Sequence, residues 1–131
     1  MDAFQTAEQA IRALTKAHIL ELRSTVRPHP LVEKIMIQVC VIRGVIAPSL
    51  NAAKEMLGSM TFKMELMLLD VSKLKPRNVN RVKCTLQANP MLLPGEVSKY
   101  SEGAAILLTW LHNVIKWYMG YRYFLSQTLT R

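Results

Sequence analysis

Phe4, Ala7, Ile11, Leu14 and His18 recur at alternating spacings of three and four. That spacing is the seam of a coiled coil. No glycine or proline interrupts residues 3–24, which predicts one helix there. After Leu14 the pattern slips, because Ile19, Leu22 and Val26 are apolar but out of that register. Pro28 and Pro30 stop the helix, since proline cannot continue the bonding ladder and restricts the residue before it. A second helix is expected over 30–43, with Val32, Ile35, Met36, Val39, Cys40 and Ile42 on its apolar face and Gly44 as its stop. Ser49 is placed to cap a third helix reaching about Leu69, with a break near Gly58-Ser59. Asp70 to Pro76 reads as a connector. A fourth helix over 77–88 turns Val79, Val82 and Leu86 inward, Asn89-Pro90 is a turn, and Pro94 opens another helical turn.

The last helix is expected from Ser98 to the end. Along it Leu108, Leu111, Ile115, Tyr118, Arg122, Leu125 and Leu129 repeat the three-four alternation. A chain that leaves along one seam helix and returns along another forms an antiparallel hairpin. The expected fold is therefore all-α: a small bundle of short helices capping an antiparallel two-helix coiled-coil stub. Residues 1–26 are the outgoing helix, 27–107 the helical cap and 108–131 the returning helix. The seam positions are Ile11, Leu14, His18 and Leu22 against Leu108, Leu111, Ile115, Tyr118, Arg122 and Leu125. Such a unit reads as a monomer, with termini side by side as in a module of a larger protein.

Length and composition fit this reading. The 131 residues suit one domain, and half are hydrophobic, enough for a core. The net charge of +8 favours an acidic partner: nucleic acid, an anionic membrane or an acidic protein surface. The sharpest charge feature is Lys73, Lys75, Arg77, Arg81 and Lys83, in a stretch with no acid between Asp70 and Glu96. Arg77 and Arg81 share a helix face and repel each other there, which something acidic opposite would relieve. Arg27, Lys34 and Lys99 could extend the same cationic face.

Other chemistry is absent from the pattern. Cys40 and Cys84 sit among apolar residues and read as buried free thiols, although one disulfide is open to them. No glycine-rich phosphate loop, paired carboxylates, catalytic Cys/His or Ser/His set, or metal-ligand spacing is legible, so neither catalysis nor a metal or cofactor is expected. No basic leader opens the chain, and the apolar run 104–115 is broken by Thr109, His112 and Asn113, short of the about 20 residues of a membrane span. A soluble intracellular domain with no membrane contact is expected. The aromatics Trp110, Trp117, Tyr118, Tyr121, Tyr123 and Phe124 read as packing rather than base-stacking, and Met56, Met60, Met64 and Met67 as core filler.

The ordered set of features resembles the stalk-tip domain of dynein heavy chains over residues 20–120. The residues that carry it are Glu21-Leu22-Arg23-Ser24, the turn Pro28-His29-Pro30, the apolar helix to Gly44 with Cys40, then Ala53-Lys54, Phe62, Leu66, Leu69 and Asp70. Asn89-Pro90, Val97, Ser101, Gly103-Ala104-Ala105, Trp110 and an aromatic at Trp117 or Tyr118 complete it. Three positions depart from the family's habit: His29 stands for a second proline, Glu33 for a lysine and Leu50 for a tryptophan. They point to an axonemal rather than a cytoplasmic heavy chain.

The resemblance implies microtubule binding through Arg27, Lys34, Lys75, Arg77, Arg81, Lys83 and Lys99, in the cytoplasmic cytoskeleton or the axoneme of a cilium or flagellum. It also implies that the seam helices slide to signal binding to a distant ATPase ring, so that the chain is itself non-catalytic and binds in an ATP-sensitive way. Two alternatives stay open. One is a helical module docking another dynein subunit, such as a leucine-rich-repeat light chain. The other is a basic nucleic-acid-binding domain, which the lack of aromatic-basic interleaving and of a helix-turn-helix pattern disfavours, so nucleic acid is not an expected partner.

Overall fold

The computed structural model describes residues 2–129, all of whose regular elements are helical. They are α1 (Ala3–Arg12), α2 (Lys16–Ser24), α3 (Pro30–Ile42), α4 (Leu50–Leu57), α5 (Phe62–Met67), a 3-10 turn (Val71–Lys73), α6 (Pro76–Ala88), α7 (Pro94–Val97) and α8 (Glu102–Leu129).

The long helix α8 is the spine. It packs against α1, α2, α3, α7 and the 3-10 turn, and its most extensive interface is with α1. Ala104, Leu107, Leu108, Trp110, Leu111, Val114, Ile115 and Tyr118 are buried along it. Ile11, Leu14 and Leu22 are buried opposite. Of the expected seam, His18 and Leu125 are half-buried, Arg122 is exposed, and the side chain of Leu129 lies outside the described residues. Phe4 closes the far end of the pair, its ring edge-on to Trp117 at 4.8 Å. Trp110 is fully buried and Trp117 partly so, but Tyr123 and Phe124 are exposed, so the expectation of packing fails for those two.

The single outgoing helix expected over 3–24 is two helices. Thr15 starts α2 with a capping box. Its hydroxyl accepts from the His18 N–H, and His18 Nδ1 accepts from the Thr15 N–H, each at 3.1 Å. Two donors that a continuous helix would bond internally are thereby satisfied at a break. The slip of the seam after Leu14 is the sequence trace of this break. Beyond it α2 comes close to α8 at Gly103, where a Cβ would lie 3.0 Å from His18 Cβ and 3.3 Å from Leu22 Cδ1. Only glycine fits this crossing without displacing a neighbour.

The cap is built from short, well-terminated helices. His29 starts α3, its Nδ1 accepting from the Leu31 N–H at 3.1 Å ahead of a favourable first-turn proline. Gly44, at φ 80°, ends α3 in a Schellman motif. The Val45 N–H reaches the Cys40 carbonyl and the Gly44 N–H the Val41 carbonyl, both at 3.0 Å. Ser49 caps α4 as expected. The expected break near Gly58 divides α4 from α5. Lys54 Nζ donates to the Thr25 carbonyl at 2.8 Å and ties α4 to the end of α2.

The last helix begins later than expected, because Ser101 accepts from the Ala104 N–H at 3.1 Å and caps α8 there. Ser98 to Tyr100 form a turn instead. Cys40 is buried, but Cys84 is exposed, against the expectation of two buried thiols. Cys84 lies about 200° round α6 from inward-facing Val82, which directs it to solvent.

Candidate basic interface

The acid-free stretch forms the start of α6. Lys75 occupies the N-cap position and Pro76 opens the first turn; no side chain caps it. Cations there oppose the positive end of the helix dipole, and that end itself attracts anions. Lys75, Arg77 and Arg81 are all exposed. They line a cleft of about 410 Å³ with Asn78 and the loop Gly44 to Ile46. The Schellman stop of α3 is what aims that loop at α6: Asn78 Nδ2 lies 4.0 Å from where a Gly44 Cβ would be. Fully exposed Ile46 stands beside the arginines. Sequence reasoning missed Ile46, because it sits in a loop where no periodicity marks it.

Neighbouring charges are locally compensated. Lys73 shares a second depression with Glu65 and Asp70. Hydrogen bonds from the Ser72 hydroxyl and N–H hold the Asp70 carboxyl below its usual range, and Lys73 adds to this, so Asp70 stays ionised. Arg43 pairs with Glu65 at 3.2 Å. Lys75 borders that depression as well, so on this side of α6 the cations that share no depression with a carboxylate are Arg77 and Arg81. Lys83, further along α6, is half-buried.

The remaining predicted cations belong to the other end of α3. Arg27 lies in the loop before α3 and Lys34 a turn inside the helix, both exposed. The His29 ring stacks on Tyr100 with centroids 3.7 Å apart and planes at 14°. That stack joins the loop bearing Arg27 to the turn bearing Lys99. Lys99 lies in this turn, not at the start of α8 as expected, and pairs with Glu96 at 3.1 Å. An exposed pair of this kind is worth at most about 1 kcal/mol. Helix α3 has 13 residues, so its two ends stand roughly 20 Å apart. The predicted residues thus fall into two groups, one at each end of α3, rather than one continuous cluster.

Among the described residues no helix is long and apolar enough to cross a membrane, and no three His, Cys, Asp or Glu side chains gather where they could hold a metal ion.

No protein-family model matches the sequence. A search of curated proteins gives no match. A comparison of structures does: the chain superposes on the microtubule-binding domain of dynein-C with a TM-score of 0.78 and 21% sequence identity, over 92% of this chain and 85% of that one. The short helices capping an antiparallel helix pair are thus the fold of a dynein microtubule-binding domain.

Proposed function

We propose that this chain binds microtubules as the stalk tip of a dynein heavy chain. The observation that carries the reading is the acid-free group Lys75, Arg77 and Arg81 around exposed Ile46, on a fold shared with the microtubule-binding domain of dynein-C. Tubulin presents an acidic surface. Clustered cations steer encounter with such a surface and hold it by a salt-sensitive attraction, while Ile46 adds apolar contact at the same edge. Arg27, Lys34, Lys83 and Lys99 serve as secondary contacts. The chain itself performs no chemistry and resides in the cytoskeleton. The substitutions at His29, Glu33 and Leu50 favour an axonemal heavy chain.

ATP sensitivity follows if α1 and α8 change register and pass that change to a remote ATPase. Two features support a pair that holds more than one register. Exposed Arg122 stands on the α8 seam. The Tyr118 hydroxyl, on the same seam, is buried without a hydrogen-bond partner, which penalises the present alignment.

Pelleting with stabilised microtubules across a salt series tests the reading. Binding at low ionic strength that weakens steadily as salt rises is expected. Failure to pellet at low salt, with α1 and α8 locked by disulfides in each of two registers, contradicts it.

A further inference from the structure

A groove of about 720 Å³ lies between the α1–α2 break and the turn joining α4 to α5. Lys16, Ile19, Leu20 and Arg23 line one wall. They occupy positions i, i+3, i+4 and i+7 of α2, so the wall is one helix face two turns long. Met60, Met64 and Met67 line the other side. Leu20 is 61% exposed, Met64 60%, and Met60 wholly so. Met60 and Met64 therefore do not fill the core as their spacing suggested, whereas Met56 and Met67 stay partly buried against it. The break at Gly58 to Thr61 turns this face outward. Unbranched thioethers on an open wall adapt to varied apolar partners.

Charge narrows the occupant. Lys16, Arg23 and Lys63 line the groove, the Lys63 Nζ also donating to the Arg12 carbonyl at 3.2 Å, and no carboxylate lines it. An adjoining depression holds one acid, Glu55, together with Leu20 and Arg23. A basic or neutral partner would cover these cations without compensation, whereas an acidic one would pair them.

We propose that this groove docks an amphipathic helix of another protein, with apolar anchors at i, i+3 or i+4, and i+7 and with glutamates or aspartates on its flanks. A helix lying along α2 matches the length and spacing of the wall, in the manner of other helix-in-groove complexes. The site is separate from the basic interface, because Lys75, Arg77 and Arg81 take no part in it.

The test is fluorescence anisotropy of the intact chain with a panel of labelled amphipathic helices, leucine-anchored at these spacings and flanked by Glu, Gln or Lys. The Glu-flanked helices are expected to bind about tenfold or more tighter than their Lys-flanked counterparts. Leu20→Asp/Met64→Asp, at two exposed positions, is expected to abolish binding, and Arg77→Glu/Arg81→Glu to leave it unchanged. Three results overturn the proposal: no panel member binds, Lys-flanked helices bind as well as Glu-flanked ones, or binding survives the groove variant. Sedimentation equilibrium adds a fourth, a dimer broken by the groove variant, which would make a second copy of this chain the occupant.

Discussion

Cys40 and Cys84 share an apolar neighbourhood in sequence but meet opposite environments. Burial pushes the Cys40 thiol up to about 11 from an ordinary 9.0, although Arg43 nearby pulls the other way. Cys84 faces solvent. A disulfide-exchange reagent at mildly alkaline pH should therefore modify one thiol quickly in the folded chain and the second only on unfolding. The raised thiol also fixes the sign of the alkaline response. The folded state keeps the Cys40 proton longer than the unfolded state does, so its contribution is complete below about pH 9 and is lost as pH rises toward 11. Chemical denaturation across that range should show an added loss of order 2 kcal/mol that Cys40→Ala lacks. The two fates were legible only in part. The inward set Val79, Val82 and Leu86 places Cys84 on the far side of α6, a consequence that mere apolar company hides.

At the scale of the element, the breaks were harder to read than the helices. The rows of apolar residues predicted α3, α4, α6 and α8 because periodicity is a summed signal over several turns. The break at Thr15 needs one local competition to be decided. Neither glycine nor proline marks it, and besides the slipped seam its trace is a Thr-x-x-His spacing in which histidine takes the place of the usual Glu or Gln. The same difficulty misplaced the methionines: four residues at helical spacing look like one buried face until the turn at Gly58 rotates half of them outward. Glycines give a direct test of the helix crossing. Gly103→Ala must push His18 or Leu22 aside, since both lie within 3.3 Å of the new Cβ. It should destabilise by about 1–2 kcal/mol despite the better helix former. Gly120, in the same helix with nothing within 4 Å, meets no such neighbour. Gly120→Ala should stabilise by about 0.5–1 kcal/mol. Thermal or urea unfolding of the two variants reads both, and equal effects would remove the close α2–α8 approach as the reason for glycine at 103.

For the whole molecule, two seams at the ends of the chain and short helices between them were enough to predict the hairpin and its cap. The surface was less legible. Sequence left open whether Arg27, Lys34 and Lys99 join the basic stretch on one face; Arg27 and Lys34 stand toward the other end of α3, and Lys99 is already paired. Ile46 and the groove beside α2 depend on loops and breaks that carry no periodic signal. The structure thus has two positive faces, one at Lys75, Arg77 and Arg81 and one at Lys16, Arg23 and Lys63. Of these two faces, the first is the one proposed to bind microtubules. Co-sedimentation of Arg77→Glu/Arg81→Glu beside Lys16→Glu/Lys63→Glu tests that assignment most directly, because both variants lower the net charge equally. The α6 variant is expected to lose microtubule binding at low salt while the groove variant pellets like the wild type. Equal loss in both would reduce the attraction to net charge, and an α6 variant that still pelleted would contradict the interface outright.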